Sequence, residues 1–450
     1  MMSLYTRLVA SAIFPLHERL KGHSTLSALR SMEQSQWLPR TDLKAFQLAR
    51  LRAFLERIGR DVPYYRDLFR DSGFSPADVN ALTDLQRLPI TGKPDIRENL
   101  ERMKADNAGP LERFSTGGSS GEPLVFYRGK ERVSHDVAAK WRATRWWNVD
   151  IGDREIVIWG SPIELGSQDR VRLIRDKLLR TELLSAFEMS EDNLERFIRR
   201  IQAFKPRMLF GYPSSLALMA RYAAGKGFKM DELGIKVVFV TSESLYPHQR
   251  ETIESVYGAP VANGYGGRDG GFIAHQCPAG SMHITAEDIV VEIVDSDGNV
   301  LPTGQNGEIV ITHMAMGDFP FVRYRTGDVG SLSDESCSCG RGLPLLKEIE
   351  GRTTDFIMAT DGTVIHGLAL IYILRELPQV GEFKIVQDAL DRITVQLVVT
   401  GPLTGEMEAE ITAQFRKRLG STVSVIYDYV EKIPAEASGK FRYVVSHVAH

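Results

Sequence analysis

The sequence predicts an α/β protein in two parts: a large multi-layer N-terminal domain with mixed β-sheets and helices, and a small α+β C-terminal domain. Three observations predict it. At 450 residues the chain exceeds what one hydrophobic core sustains, because single cores stop growing beyond about 300 residues. From residue 150 onward, short β-rich runs alternate with helical stretches, the arrangement in which helices cover mixed sheets. After Gly351 the texture changes to strand, strand, helix, strand. That change places a boundary between Glu350 and Asp355 and divides the chain into residues 1–350 and 351–450.

The elements follow in order. The first hundred residues read as helical: Leu48, Leu51, Leu55 and Ile58 recur at helical spacing, with Asp42 in the region of an N-terminal cap. Val62-Pro63-Tyr64-Tyr65 breaks that pattern, and Leu88-Pro89-Ile90-Thr91-Gly92-Lys93-Pro94 is a turn-rich connection. Glu155–Trp159, Val237–Val240, Ile289–Val294 and Glu308–Thr312 read as strands, and Asp192–Phe204 and Ser214–Lys226 as helices. In the C-terminal part, Phe383–Val386, Ile393–Thr400 and Thr422–Tyr429 read as strands around a helix at Gly405–Leu419.

Bulk composition excludes several functions. A formal net charge of −3 gives no electrostatic case for nucleic acid as a partner. Three cysteines make a disulfide framework an unnatural reading and favour a reducing compartment. No apolar run approaches the roughly 18 residues that span a bilayer, so the expected location is cytoplasmic. Leu4 to Leu20 reads as a helix packed on its own domain, with peripheral membrane or partner contact as the alternative. Nothing in the composition sets an oligomeric state.

The most informative run is Phe114-Ser115-Thr116-Gly117-Gly118-Ser119-Ser120-Gly121-Glu122-Pro123. Three glycines and four hydroxyl residues suit a loop whose bare amides and hydroxyls wrap a polyphosphate. The Lys-Ser/Thr ending of a Walker loop is missing, and a Ser/Gly-rich surface loop is the plain alternative. Five further motifs stand in order after it: Thr241-Ser242-Glu243-Ser244-Leu245, Asn263-Gly264-Tyr265-Gly266-Gly267-Arg268-Asp269, Arg323-Tyr324-Arg325-Thr326-Gly327-Asp328, Gly351-Arg352-Thr353-Thr354-Asp355 and Ser438-Gly439-Lys440.

Together, in this order, the six resemble the adenylate-forming (acyl-CoA synthetase) superfamily over nearly the whole chain. The match is best to the phenylacetate–CoA ligase-like branch and its capsular polysaccharide-associated relatives. The resemblance implies the adenylate-forming enzyme fold and an AMP-forming carboxylic acid ligase using ATP and Mg²⁺. It implies that Ser115, Thr116, Gly117, Gly118, Ser119, Ser120 and Gly121 hold the phosphates and that Tyr265 packs near the adenine. Glu243 and Gly266 belong to the same nucleotide site, Asp269 helps hold Mg²⁺, and Asp328 accepts from the ribose hydroxyls. Lys440 would bridge the incoming carboxylate and the α-phosphate, and Arg352 would reach nucleotide near a hinge about which a mobile C-terminal domain rotates. The acid pocket would be lined from around Trp141, Trp159, Phe210–Pro213 and Gly264–Gly267, although Trp141 and Trp159 are more often core residues. Such a ligase makes an acyl-adenylate from a small carboxylic acid and passes the acyl group to coenzyme A. The alternatives are transfer to an amine or hydroxyl of a polysaccharide precursor, and a non-catalytic nucleotide-binding protein.

Three departures from the family pattern stand out: Glu122 where the phosphate loop usually carries Lys, Asp269 where Glu is usual, and Thr354 at the first acidic position of the hinge. Arg128 is a nearby candidate for the missing positive contact. The cysteines form a separate signal. Cys277, Cys337 and Cys339, with His283 six residues beyond Cys277, make a Cys₃His set suited to structural Zn²⁺. His275 competes as the fourth ligand, and reduced thiols without metal are the other reading.

Overall fold

A computed structural model describes residues 3–116, 124–159, 170–186, 191–352, 356–362, 364–366, 368–375, 377–401, 403–434 and 442–448. The chain forms two compact units, Met1–Thr326 with Gly330–Ile349, and Gly327–Val329 with Glu350–His450. Among the described residues no helix is long and apolar enough to cross a membrane.

The first hundred residues of the larger unit are helical, as the periodicity predicts. Helix Arg40–Asp61 buries Leu43, Gln47, Leu51, Phe54, Leu55 and Ile58, steps of three and four that trace one face. Val62 leaves the helical region at φ −110°, and Pro63 opens the helix Pro63–Asp71 at its first turn, where a missing N–H leaves nothing unpaired. The Leu88–Pro94 connection is stitched to the sheet, since Thr91 N donates to Arg323 O at 2.9 Å and Arg325 N to Thr91 O at 3.0 Å.

An eleven-stranded mixed sheet organises this unit. Its order is Ile289–Val294, Gly307–His313, Phe321–Ser333, Leu345–Arg352, Met282–Ile284, Gly271–Gln276, Val261–Gly267, Val237–Thr241, Met208–Gly211, Glu155–Trp159 and Thr181–Ser185. The last five strands of that order are parallel. Strands Met208–Gly211 and Val237–Thr241 are buried throughout, as parallel strands covered on both faces must be. Their side chains divide with period two. Met208, Phe210, Val237 and Phe239 join the large core beneath the N-terminal helices. Leu209, Val238 and Val240 face Leu216, Met219 and Ile253 of the covering helices Pro213–Gly225 and Pro247–Tyr257.

The smaller unit is α+β. Its sheet runs Ser424–Tyr429, Arg392–Val399, Val380–Ala389 and Val444–Ser446. Helix Gly405–Leu419 buries Ile411, Phe415 and Leu419, and the Thr404 side chain caps it by accepting from Met407 N.

Candidate nucleotide site and cysteine cluster

In a parallel sheet, ligands bind in the crevice outside the carboxyl ends of the strands. Three strands of this sheet end side by side with sequence motifs at their tips. Gly211 pairs with Val240, and Thr241 with Gly264, so Tyr212-Pro213 and Ser242-Glu243 follow their strands, beside Tyr265-Gly266, which lie in strand Val261–Gly267 just past its last parallel pair. Ser242 takes φ +72°, a left-handed conformation a serine adopts only where its surroundings hold it. Directly after it, the Glu243 carboxylate accepts from Ser214 N at 3.1 Å, at the start of helix Pro213–Gly225. A carboxylate suits that position because the first amides of a helix have no partner within it.

Three long-range hydrogen bonds tie motifs far apart in sequence. The Tyr265 hydroxyl donates to Thr326 Oγ1 at 3.3 Å. Tyr324 donates to Asp269 Oδ2 at 2.7 Å, a short bond of the kind a carboxylate acceptor makes. Arg268 Nη1 donates to Ser115 O at 3.3 Å. Sequence reading missed Tyr324 as a positioning group, although it lies inside a motif already singled out. It also missed Arg132, whose Nη1 donates to Asp269 O at 3.0 Å from 137 positions away, and for which no local signal exists. Arg132 Nε in turn donates to both oxygens of Asp136, at 3.0 and 2.9 Å. Burial alone would raise the Asp136 pKa, yet Arg132 and His135 bring it below the ordinary aspartate value.

The glycines of this region are dictated by contact. A Cβ on Gly266 would stand 2.0 Å from the Gly271 carbonyl oxygen, and one on Gly271, at φ +73°, 2.5 Å from Arg132 Nη2. At Gly266 backbone meets backbone without room for a methyl group, and at Gly271 the positive φ and the Arg132 and Asp136 side chains exclude one.

The phosphate-loop sequence begins in a hairpin. Strand Glu112–Ser115 pairs antiparallel with Val125–Arg128, with Ser115 opposite Val125. Thr116 N donates to Leu124 O, and Leu124 N to Thr116 Oγ1, both at 2.9 Å. Gly117, Gly118, Ser119, Ser120, Gly121 and Glu122 lie outside the described residues, as do Thr354, Asp355 and Lys440. Arg128 stacks its guanidinium over the Phe114 ring at 3.4 Å, beside the hairpin stem. Asp328 lies on strand Phe321–Ser333, and Arg352 ends strand Leu345–Arg352.

Of the expected acid-pocket aromatics, Trp159 stacks on Tyr212 at 4.4 Å and leans on Phe210 at 6.0 Å. Trp141 instead packs with Val9, Phe14, Leu29 and Met32 in a separate core, so it serves packing rather than the crevice.

A second constellation lies in the antiparallel part of the sheet. The ligand atoms of Cys277, His283, Cys337 and Cys339 all fall within 4.8 Å of one another. Cys277 Sγ is 3.6 Å from Cys337 Sγ, and Cys339 Sγ is 3.3 Å from His283 Nε2. The cysteines are not disulfide-bonded. Burial lowers His283 to about 4, so its imidazole is neutral at pH 7, the form that ligates a metal. His275 pairs in register with His283 on the neighbouring strand, yet its ring packs between Phe239 and Phe272. The donor chemistry, one imidazole and three thiols, fits a closed tetrahedral Zn²⁺ site.

The family described as AMP-binding enzyme matches residues 183–317, and the CapK C-terminal domain family matches residues 357–447. Protein CapK of Staphylococcus aureus is 24% identical over 418 residues, covering 90% of both chains. A phenylacetate-coenzyme A ligase of Thermus thermophilus is 25% identical over 399 residues, covering 83% of this chain and 85% of that one. Among solved structures, 2-hydroxyisobutyryl-CoA ligase in the postadenylation state, in complex with R3-HIB-AMP, aligns with TM-score 0.74 at 22% identity. That alignment covers 92% of this chain and 91% of the other, and it carries the fold: a large mixed-sheet unit followed by a small α+β unit.

Proposed function

Since the chain belongs to the adenylate-forming superfamily, in its phenylacetate–CoA ligase-like branch and close to CapK, we propose that it is an ATP-dependent, AMP-forming acid ligase that transfers its acyl group to coenzyme A. The substrate carboxylate attacks the α-phosphate of ATP, forming an acyl-adenylate and releasing pyrophosphate. A thiolate then attacks the acyl carbon and AMP leaves. Neither step needs covalent help from the protein; both need reactants held in line and phosphate charge neutralised.

One observation supports this reading above the others. The hydrogen bonds Arg268–Ser115, Tyr265–Thr326 and Tyr324–Asp269 gather three separate motifs around the carboxyl ends of the parallel strands. Asp269, braced by Tyr324, is the residue that would hold Mg²⁺, which supplies neutralisation of phosphate charge. Tyr265 would flank the adenine, Glu243 and Gly266 would line its cleft, and Asp328 would receive the ribose hydroxyls. Lys440 and Arg352 would act from the C-terminal part, whose movement between half-reactions belongs to the proposal. The cysteine cluster would hold Zn²⁺ for structure, with all four positions filled by protein.

The test is pyrophosphate release by the purified full chain across a panel of small carboxylic acids with Mg·ATP, followed by acceptor addition to the positive wells. The reading predicts acid-dependent pyrophosphate release and a thioester when coenzyme A is present. No release with any acid overturns it. A second acceptor reading is favoured by one observation, the match of residues 357–447 to the CapK C-terminal domain. Amines or sugar nucleotides consuming the adenylate in place of coenzyme A would select it.

A further inference from the structure

The N-terminal helical segment is held on its own unit by one face. Thr6, Val9, Phe14 and Glu18 are each less than 5% exposed. Thr6 Oγ1 donates to Asp153 Oδ1 at 2.9 Å, and Val9 occupies the space a Cβ on Gly152 would need. The opposite face is also apolar. Leu4 is 84% exposed, Leu8 51%, Leu16 60% and Leu20 80%.

Their alignment has a structural cause. In an uninterrupted α-helix the steps from Leu4 to Leu20 would drift by about 160° around the axis, carrying Leu20 to nearly the opposite side from Leu4. Here helices Leu4–Leu8 and Phe14–Lys21 are joined by a π-helical turn, Val9–Ile13. A π turn winds less per residue, which brings the second pair of leucines back beside the first and keeps the four buried residues on one side.

The stripe continues onto a neighbour. Helix Arg170–Leu179 exposes Ile174 at 62% and Leu178 at 43%. The two elements meet where the Tyr5 hydroxyl donates to Leu178 O at 2.9 Å and the Arg180 guanidinium sits 3.8 Å over the Tyr5 ring. Six of the ten large hydrophobics exposed among the described residues thus lie on two adjoining helical segments, Leu4–Lys21 and Arg170–Leu179, and such clustering marks an interaction surface.

Charge selects the occupant. Arg7, Arg19, Lys21 and Lys177 are exposed around the stripe. The acidic residues of the same two segments are withdrawn: Glu18 is buried, with Thr25 donating to it, and Asp176 is paired with Arg175 at 2.5 Å. On a chain of net charge −3, no carboxylate is exposed among the described residues of these two segments, while apolar and cationic side chains are. We propose that it docks the protein on an anionic lipid bilayer, with the leucines at the headgroup–acyl boundary and the cations among the headgroups.

The experiment is flotation of the purified full chain with phosphatidylcholine vesicles, with and without roughly 30% phosphatidylglycerol. The wild type should float with the anionic vesicles about tenfold more than with the neutral ones, and less in high salt. The double variant Leu8→Asp/Leu16→Asp should lose flotation by about tenfold or more, with an unchanged melting temperature because both positions are exposed. Trp37→Ser, an exposed aromatic outside the stripe, should float like the wild type. Absence of flotation by the wild type, equal loss in Trp37→Ser, or retention in the double variant overturns the proposal. So does light scattering that finds a wild-type dimer turned to monomer by the double variant, which assigns the face to a second copy.

Discussion

The two constellations of the larger unit are built in opposite ways. Around the parallel strand ends, separate motifs meet through single hydrogen bonds, two of them as long as 3.3 Å. In the antiparallel region, four ligand atoms converge within 4.8 Å. On the proposed reading, a site that admits and releases a nucleotide links its motifs in pairs around a crevice, with Asp269 braced by Tyr324 and Arg132. A site that holds a structural ion closes on itself. The contrast teaches that the pattern of contacts, pairwise links across a crevice against four ligand atoms facing one point, distinguishes the two constellations.

Four measurements sharpen or break that contrast. The largest effect is expected from Lys440→Ala, which should slow acid-dependent ATP–pyrophosphate exchange by about 10² or more, the scale of losing one preorganised donor to developing charge. Normal exchange in that variant removes lysine from the reaction. Next, Cys339→Ser should release zinc and cost about 2 kcal/mol of stability, while a wild-type preparation with far less than one zinc per chain by elemental analysis ends the clamp reading. Tyr324→Phe should lower kcat/KM for Mg·ATP by about tenfold through loss of a hydrogen bond to a charged group. Its melting temperature should stay close to the wild type, and an unchanged kcat/KM would detach Tyr324 from the nucleotide. The smallest effect is acid sensitivity. Burial lowers His275 to about 3, so the unfolded chain binds the proton first, and this contribution is complete above the unfolded value of 6.5 and declines as pH falls toward 3. Asp136, also below its ordinary value, adds loss at the acid end. Melting curves from pH 7 to 4 should show a steady decline; a flat profile would mean these groups are hydrated in the folded state.

Much of the fold was legible because periodicity is local. The strands Glu155–Trp159 and Ile289–Val294 and the helix Gly405–Leu419 match the sequence expectation at both ends. The motifs were legible because each is contiguous. What escaped depends on partners distant in sequence. Nothing near Arg132 points to Asp269, and nothing near Leu178 points to Tyr5. The choice between His275 and His283 was open because both are fully buried and stand opposite each other in register. The approach of His283 to the cysteines and the aromatic packing of His275 separate them. Trp141 carried two readings for a related reason: an aromatic fills a core as well as a crevice, and here the N-terminal helices claim it for the core.

Gly266 and Gly271 carry one more consequence. With a carbonyl 2.0 Å from the place of one missing methyl group and a guanidinium 2.5 Å from the other, saturation mutagenesis should find these two codons intolerant even of alanine. Divergence among related sequences would then be channelled to flanking positions whose side chains point away from the crossing, leaving the turn itself a fixed hinge-pin around which specificity drifts.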